Sequence, residues 1–475
     1  MDLNTLKLTF LLPKMAFLWL FIFLASFFCT NAELISSLPG QPQNVTFKQY
    51  SDYIVTDDRH GRALFYYFVE AHSKDALSLP LTLWLNGGPG CSSVGLGLFM
   101  ENGPFRPGKD GNLIKNEFSW NLVSNMLYVD SPVGVGFSYS NTTSDYNNWN
   151  DTMTADENLK FLLKWFEKFP EYRNLDLYLA GDSYAGHFVP QLAAVVLEYN
   201  RKPNVNPIKL KGIALGNPLL DIVISVDSAD YLWYHGAISA ELRTMKKKLC
   251  NGTRFFLEYS QDKPSEDCKK MMAKMDEELG VDFDTGDMLL PRCVSGQQDL
   301  GSETTGIGDP CLADRIIEYI NKPEVQKALH ANTTGLPYLW DLCSGPIKYQ
   351  MDNLAINIMP TLSAFLKKDH IPILLYSGDQ DVKVPVTQTR KIANMLARHV
   401  KLTTLQENGP WYNGYQVGGW SQAFGKLRKG KNVTYLTFAT VKGGAHMVPF
   451  TSPSQSLILF KSFINGSPPP TTSLN

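Results

Sequence analysis

Short apolar runs, each ending close to a glycine or an aspartate, recur along the chain and are separated by helical patterns. They span residues 81–85, 126–129, 175–180, 210–215, 371–376 and 433–441. Because these runs lack polar alternation, they are typical of strands buried on both faces, as in parallel sheets. Strands that alternate with helices predict an α/β fold built on a doubly wound, mostly parallel sheet.

The helical patterns between these runs have their own start signals and spacing. Thr154 and Glu157 have the spacing of a capping box and precede apolar residues on one helical face. Residues 187–200 also have apolar side chains at helical spacing, and residues 454–464 form a closing helical pattern. We therefore predict helices beginning at about Thr154, over 187–200 and over 454–464.

The alternation stops over residues 225–359, where the chain becomes polar and helical. We predict that this segment is a cap inserted between two halves of one core, residues 33–224 and 360–466. An independent domain is the alternative, but strand–helix alternation resumes after the segment, which favours an insertion. The proline-rich residues 467–475 are predicted to form a disordered tail.

The N-terminus has the three parts of a secretory signal peptide. Lys7 and Lys14 supply the positive region, residues 16–28 are almost wholly apolar, and Ala32 ends a small-residue cleavage site. A membrane anchor is the alternative, but the run is shorter than the roughly 20 residues that a spanning helix needs. We therefore predict that residues 1–32 are removed and that the mature protein is soluble in the secretory pathway, extracellular or vacuolar/lysosomal.

Cysteine and sequon usage fit that compartment. Cys29 lies in the predicted signal peptide, which leaves an even set of cysteines: Cys91, Cys250, Cys268, Cys293, Cys311 and Cys343. In an oxidising lumen these predict three disulfides whose pairing the arithmetic leaves open. The cysteines lack the close spacing of a zinc-binding pair, so no metal or cofactor is predicted. Glycosylation is predicted at the sequons Asn44, Asn141, Asn150, Asn251, Asn332, Asn432 and Asn465.

Ser183 stands in a short motif at a strand–helix junction, Gly181-Asp-Ser-Tyr-Ala-Gly186. A nucleophilic serine on a sharp strand–turn–helix elbow needs small neighbours, since its backbone is strained. The last position of the usual G-x-S-x-G pattern is Ala185, which is still small enough. This placement favours Ser183 as the nucleophile of an α/β-hydrolase fold.

The base and the acid of a serine hydrolase on this fold follow the nucleophile in the order Ser, Asp, His. His446 comes after the last apolar run, whereas His187 is too close to Ser183 along its helix. Asp379 and Asp381 both follow the run at 371–376, and a proline four residues later favours Asp381. Its role would be to hold the histidine tautomer.

Two segments offer backbone donors for a developing oxyanion. One donor is the amide of Tyr184, which follows the nucleophile, and the other lies in the glycine-rich loop over residues 86–90. Glycines in such a loop let the backbone approach a substrate closely. An ordinary strand-end turn is the alternative for residues 86–90, but the elbow beside it favours an oxyanion hole.

Four motifs in this order resemble those of the serine carboxypeptidase family, particularly its plant-like members. The motifs are Asn86-Gly-Gly-Pro-Gly-Cys-Ser-Ser93, Gly181-Asp-Ser-Tyr-Ala-Gly-His-Phe-Val-Pro190, Gly378-Asp-Gln-Asp381 and Gly443-Gly-Ala-His-Met-Val-Pro449. The resemblance extends from about residue 39 to residue 465. It implies a serine-type carboxypeptidase that acts on peptide C-termini at acid pH and, by analogy alone, a homodimer.

The resemblance also implies roles for individual residues. The catalytic triad would be Ser183, Asp381 and His446, and the oxyanion donors would be the amides of Gly88 and Tyr184. The substrate carboxylate would be bound by Asn86, Gly87 and Asp182, with Glu101 as the partner of Asp182. The implied disulfides pair Cys91 with Cys343, Cys250 with Cys268, and Cys293 with Cys311.

Asp182 departs from the peptidase pattern, which has glutamate before the nucleophile. Aspartate is usual there in the plant acyltransferase branch, which transfers acyl groups from sugar esters, whereas Asn86 and Ala185 agree with the peptidases. We predict a carboxypeptidase, with an acyltransferase as the alternative. A catalytically silent binding protein is a third reading that the intact triad disfavours. The sequence does not decide whether residues 295–309 are excised.

Other classes of partner are disfavoured by charge. The 44 Lys and Arg residues and the 46 Asp and Glu residues give a net charge of −2. A chain with this balance has no basic excess to attract nucleic acid. We therefore predict no nucleic-acid partner and, after signal removal, no membrane partner.

Overall fold

The computed structural model describes residues 33–291, 293, 308–333, 335–336, 338–343, 345–428 and 430–473. The predicted signal peptide lies outside the described residues. Of the segment 295–309, whose excision the sequence leaves open, only Gly308 and Asp309 lie within them.

The described residues form fifteen β-strands. Numbered along the described residues, they are β1 (Gln49–Asp57), β2 (Arg62–Val69), β3 (Leu81–Leu85), β4 (Phe105–Pro107), β5 (Leu113–Lys115), β6 (Asn125–Val129), β7 (Tyr139–Ser140), β8 (Asn147–Trp149), β9 (Leu177–Asp182), β10 (Leu210–Gly216), β11 (Lys348–Tyr349), β12 (Ile373–Gly378), β13 (Thr403–Asn413), β14 (Gln416–Arg428) and β15 (Lys431–Val441).

Within the described part of the chain, eleven strands form one sheet in the order β1-β2-β6-β3-β9-β10-β12-β15-β14-β13, with β7 beside β2. The six strands from β6 to β15 are parallel. Antiparallel strands close both ends. Every residue of β3, β6 and β12 is buried, as expected for strands covered on both faces. The predicted α/β fold with a doubly wound, mostly parallel sheet is confirmed.

Helices cover the two faces. They are α1 (Asp151–Lys168), α2 (Ala185–Asn200), α3 (Ile222–Ser225), α4 (Ala229–Tyr234), α5 (Ala240–Lys248), α6 (Gly252–Ser260), α7 (Glu266–Leu279), α8 (Leu312–Ile320), α9 (Pro323–Ala328), α10 (Met359–Ala364), α11 (Val386–Val400), α12 (Val448–Thr451) and α13 (Pro453–Ile464), with π-helical segments at Ser93–Glu101 and Phe365–Asp369. No helix among the described residues is long and apolar enough to cross a membrane.

The first long helix begins earlier than the sequence predicts. The side chain of Asn150 accepts a hydrogen bond of 2.9 Å from the amide of Met153 and so caps α1 four residues before Thr154. Thr154 instead lies inside the first turn, where its hydroxyl donates to the carbonyl of Asn150 at 2.9 Å. The capping-box interpretation is therefore wrong, because asparagine satisfies the free amides equally well. Because α1 begins at Asp151, this residue lies in the first turn of the helix.

Alternate side chains of the parallel strands enter two separate cores. Leu83 and Leu85 face the cluster that contains α1, α2 and α11, whereas Trp84 faces the other side, with Trp120 and Phe460. Burial of both faces fixes the register of the strands. It also fixes the carboxyl edge of the sheet, where the loops after β3, β9, β12 and β15 meet.

The segment between β10 and β12 contains the predicted cap. Its helices α4, α5 and α7 contribute to a small cluster that also includes Val382. Its helix α8 packs differently, since Leu312 and Ile316 belong to the core on the Trp84 side of the sheet. Leu354 and Ile358 belong to the core with α1, α2 and α11, so the described parts of the insertion pack in three groups. The exact domain boundaries remain a prediction.

The C-terminal segment packs onto the sheet as far as the structure describes it. The amide of Tyr412 in β13 donates a 2.8 Å hydrogen bond to the carbonyl of Pro470, and Pro469 is buried. The disordered tail over residues 467–475 stays a prediction beside these two contacts. Of the three prolines in this segment, Pro469 is buried, whereas Pro468 and Pro470 are exposed.

Candidate active site

Ser183 occupies a strained turn between β9 and α2. Its φ is +57°, a left-handed conformation that costs a non-glycine residue free energy and is common at functional sites. The turn is enclosed by neighbouring backbone, because a Cβ on Gly181 would collide with the carbonyl of Leu85, and a Cβ on Gly186 with that of Leu219. These glycines explain the motif and give Ser183 the backbone of a nucleophile elbow.

His446 and Asp381 meet at the carboxyl edge of the sheet. Nδ1 of His446 lies 2.7 Å from Oδ2 of Asp381, whose side chain is fully buried. The other oxygen, Oδ1, accepts hydrogen bonds from the amides of Lys383 at 2.8 Å and Val384 at 3.2 Å. An acid held in this way can fix the histidine ring and its tautomer.

Asp379 has a different partner from Asp381. Its Oδ1 accepts a hydrogen bond of 2.8 Å from the amide of Gly443, and its backbone carbonyl accepts one from the hydroxyl of Tyr231. Asp379 therefore connects the loop that follows β12 to the loop that follows β15 by a hydrogen bond. Of these two aspartates, Asp381 is the one that is hydrogen-bonded to His446.

Asn217 is a site residue that the sequence analysis missed. It directly follows β10, is fully buried, and donates from Nδ2 to Oδ2 of Asp381 at 2.7 Å. Its Oδ1 accepts from the amide of Gly378 at 3.2 Å. A polar residue at the carboxyl end of a central parallel strand was the available signal, because ligands and catalytic groups collect at that edge.

The glycine-rich loop after β3 lies directly against the elbow. A Cβ on Gly87 would collide with the backbone nitrogen of Tyr184, and Gly88 has φ +109°. Only glycine, which has no Cβ, fits the close approach at Gly87, and glycine readily adopts the positive φ at Gly88. The structure thus brings together the two segments that carry the predicted oxyanion donors, Gly88 and Tyr184.

Asn86 joins two buried carboxyl groups beside the elbow. Its Nδ2 lies 2.7 Å from Oε1 of Glu101 and 3.0 Å from Oδ1 of Asp182. Its Oδ1 accepts a 2.7 Å hydrogen bond from the indole of Trp84, which fixes the orientation of the amide. The sequence predicted these three polar residues as one group, and the structure places them in contact.

Burial controls the protonation of this cluster. It raises the pKa of Asp182 to about 6, although the charge of His446 opposes the shift. Burial, followed by repulsion from Asp182, raises the pKa of Glu101 well above its usual range. Oε2 of Glu101 has no hydrogen-bond partner among the described residues. Two carboxyl groups that share one amide cannot both ionise cheaply, so the cluster retains a proton at acid pH.

The three disulfides are confirmed in the pairing that the resemblance implies: Cys91–Cys343, Cys250–Cys268 and Cys293–Cys311. The first supports the glycine-rich loop, because the amide of Cys91 donates to the carbonyl of Gly87 at 3.2 Å. The next residue, Ser92, donates from its amide to the carbonyl of Leu342 at 2.7 Å. The insertion therefore anchors the loop that faces the elbow.

The sequons differ in exposure. The exposed asparagines are Asn44, Asn141, Asn251, Asn432 and Asn465. Asn150 is half-buried as the cap of α1, and Nδ2 of Asn332 donates to Gln326 at 2.9 Å. The exposed sites remain predictions of glycosylation.

The described residues contain no group of three or more histidine, cysteine, aspartate or glutamate side chains arranged to hold a metal ion.

Comparisons with known proteins agree with this geometry. A sequence profile described as serine carboxypeptidase matches residues 39–466. Serine carboxypeptidase-like 46 of Arabidopsis thaliana is 43% identical over 449 residues, which cover 93% of each chain. Serine carboxypeptidase 24 of the same plant is 40% identical over 91% of this chain and 92% of its own. The prohormone-processing carboxypeptidase KEX1(DELTA)P of Saccharomyces cerevisiae has a similar fold, with a TM-score of 0.65, 20% identity, and coverage of 88% of this chain and 91% of its own.

Proposed function

The chain belongs to the serine carboxypeptidase family, and we propose that it is a serine-type carboxypeptidase that releases C-terminal amino acids from peptides at acid pH. The observation that carries this proposal is the buried cluster of Asn86, Glu101 and Asp182 directly beside Ser183. An amide and protonated carboxyl groups offer hydrogen-bond donors to a free carboxylate. An enzyme that recognises the free carboxylate of a chain terminus needs such donors.

In the proposed reaction, Ser183 attacks the carbonyl carbon of the last peptide bond. His446 takes the proton from the serine hydroxyl and passes it to the departing amine, while Asp381 stabilises the imidazolium. The amides of Gly88 and Tyr184 donate to the negatively charged oxygen of the tetrahedral intermediate. The terminal amino acid leaves, and water hydrolyses the acyl-enzyme on Ser183 by the same proton transfers in reverse.

Recognition of the terminal carboxylate would depend on the proton in the cluster. The amide of Gly87 and a protonated Asp182 can each donate a hydrogen bond, and Nδ2 of Asn86 can donate one in exchange for its bond to Glu101 or Asp182. Each bond to a charged group contributes roughly 1.5–3 kcal/mol. Once Asp182 ionises it repels the substrate carboxylate instead. The raised pKa of Asp182, about 6, therefore supports activity at acid pH.

A serine carboxypeptidase-like acyltransferase is the second candidate, favoured by Asp182. Aspartate is one methylene shorter than the glutamate of typical peptidases, so less of the cluster reaches the substrate side. In this alternative the acyl group would come from a sugar ester, and an alcohol would replace water as the acceptor. Asn86 supports the peptidase, since its amide is held by Trp84 and contacts both acids.

The test is to incubate the purified protein with blocked dipeptides and with an acylated glucose ester between pH 4 and pH 8. We expect release of the C-terminal amino acid, fastest below the pKa of Asp182, and little acyl transfer from the ester. Peptidase activity that peaks at alkaline pH would contradict the proposal. Rapid acyl transfer without peptide cleavage would replace it with the acyltransferase.

We also propose that the protein acts outside the cytosol, in the extracellular space or in a vacuolar or lysosomal compartment. Three disulfides support this location, because such bonds persist in oxidising compartments. The predicted signal peptide and the exposed sequons add to it. The full chain is expressed with its N-terminus intact. N-terminal sequencing then tests removal of the signal peptide, glycosidase digestion tests glycosylation, and both results bear on the location. A product that kept residues 1–32 and lacked glycans would contradict them.

A further inference from the structure

Asp151 forms a buried hydrogen-bonding centre behind the elbow. Its side chain is fully buried, and Oδ1 accepts from the hydroxyls of Tyr184 at 3.0 Å and Tyr349 at 2.6 Å. Oδ2 is bound by Nδ1 of His187 at 2.9 Å and by Nε2 of Gln191 at 2.7 Å. A buried carboxylate is tolerated when hydrogen bonds satisfy its oxygens, and each oxygen here has two partners.

The position of Asp151 is itself fixed. Asn150 caps α1, so Asp151 lies in the first turn, where a negative charge is favoured by the unpaired amides. The amide of Asp151 also donates to Oδ1 of Asn353 at 3.2 Å. Burial opposes ionisation, but the hydrogen bond and charge of His187 together with the hydrogen bonds of Tyr349 and Gln191 lower the pKa of Asp151. The centre is therefore a charged group that holds its partners rigidly.

One partner, Tyr184, connects this centre to the chemistry. Its backbone amide is an oxyanion donor in the proposed reaction, and its ring is buried. The ring stacks on His187 with centroids 4.7 Å apart, and the glycine-rich loop at Gly87 lies against its backbone on the other side. With the ring held by Asp151 and the backbone confined by Gly87, the Tyr184 peptide has little freedom to rotate.

We propose that Asp151 is a positioning residue that holds the amide of Tyr184 in the orientation required for the oxyanion, acting through the Tyr184 hydroxyl. The inference rests on the proposed function, since it assigns a support to that oxyanion hole. Donors of this kind stabilise a transition state because they are oriented before the reaction. The hydroxyl of Tyr184 matters for that orientation, whereas the hydroxyl of Tyr349 binds the same oxygen from a residue that contacts Tyr184 through its ring alone, with centroids 6.0 Å apart.

The two tyrosines provide a matched pair of variants. Tyr184→Phe and Tyr349→Phe each remove one hydroxyl from Oδ1 of Asp151. The readout is the second-order rate constant for phosphonylation of Ser183 by a fluorophosphonate, which develops negative charge in the oxyanion hole and requires no natural substrate. Thermal unfolding of each variant separates folding from positioning. We expect Tyr184→Phe to slow phosphonylation about tenfold or more, and Tyr349→Phe to stay within about twofold of wild type.

Equal slowing in both variants, or no slowing in Tyr184→Phe, would overturn the proposal. If Tyr184→Phe does not fold, Asp151→Asn takes its place, because it is close in shape but exchanges the charged acceptor of the Tyr184 hydroxyl for a weaker, neutral one. Peptide turnover by Asp151→Asn, expressed per active site titrated with the fluorophosphonate, should then show a lower kcat with KM nearly unchanged, which a mere loss of folded enzyme would not give. A wild-type protein that reacts with the probe but cleaves no peptide would refute the carboxypeptidase alone, and the ranking of the variants would still decide the role of Asp151.

Discussion

Asn217 donates a hydrogen bond of 2.7 Å to the same carboxylate oxygen of Asp381 that faces His446. The oxygen therefore lies between a fixed amide and the imidazole, and the carboxylate cannot rotate without breaking one of these contacts. Asn217 has φ +42°, a conformation that asparagine tolerates better than most residues. A rigid acid is needed because it orients the histidine.

The first prediction is that Asn217→Gly lowers kcat roughly ten- to hundredfold with little change in KM, since a small displacement of a catalytic group is expensive. Glycine accepts the positive φ, so the change removes the amide without adding backbone strain. Asn204→Gly is the matched control, because Asn204 is exposed and has φ +60°. Steady-state kinetics of both variants check the prediction. Equal kcat values in the two would show that the contact is dispensable.

The second prediction distinguishes the two aspartates after β12. Asp381→Asn should lower kcat by on the order of 10⁴, because an amide favours the wrong tautomer of His446. Asp379→Asn should have a far smaller effect, since the oxygen of an asparagine can still accept from the amide of Gly443. Rates measured on the same peptide decide the ranking. The reverse order would assign the acid to Asp379.

Local motifs explain why the elbow, Asp381 and His446 could be predicted from the sequence. Each lies at the end of an apolar strand, and the order of the strands along the chain places them at one edge. Asn217 follows β10 but belongs to no motif that names its partner, and Asp151 does not follow an apolar strand. Their partners Asp381 and Tyr349 are 164 and 198 residues away along the chain, so no local pattern links them. Only the assembled sheet and the insertion bring these pairs together.

The third prediction concerns the disulfides. Cys91–Cys343 closes a loop of 252 residues and Cys250–Cys268 one of 18. The chain-entropy model gives about 5 kcal/mol of stability for the longer loop and about 3 kcal/mol for the shorter. Serine substitutions at the first pair should lower both the Tm and kcat, because that pair supports the glycine-rich loop with the proposed oxyanion donor Gly88. Substitutions at the second pair should lower the Tm alone. Calorimetry and kinetics test this, and unchanged kcat in the first variant would contradict it.

The fourth prediction is a pH dependence of stability. The pKa of Asp182 is raised from 3.8 to about 6 in the folded protein. The folded state therefore binds the proton more tightly than the unfolded chain. The resulting stability is fully present below about pH 4 and is lost as the pH rises through about 6, on the order of 2–3 kcal/mol. Asp182→Asn removes this titration, so it should gain stability relative to wild type at pH 7.5 but not at pH 4.5. Urea unfolding at both pH values measures the difference, and equal differences would exclude a raised pKa at Asp182.

The last prediction links Asp182 to the substrate. If a protonated Asp182 donates to the terminal carboxylate, Asp182→Ala should raise KM for a blocked dipeptide more than it lowers kcat, since it removes binding rather than chemistry. Asp182→Glu should preserve or improve the activity, because the longer side chain reaches both the substrate and Glu101. In wild type, KM should increase as the pH rises through about 6, with the pKa of Asp182. The C-terminal amide of the same dipeptide serves as the control, because it lacks the charge and should bind weakly at every pH. An amide that bound as well as the free acid at pH 4.5 would show that the cluster of Asn86, Glu101 and Asp182 does not recognise a carboxylate.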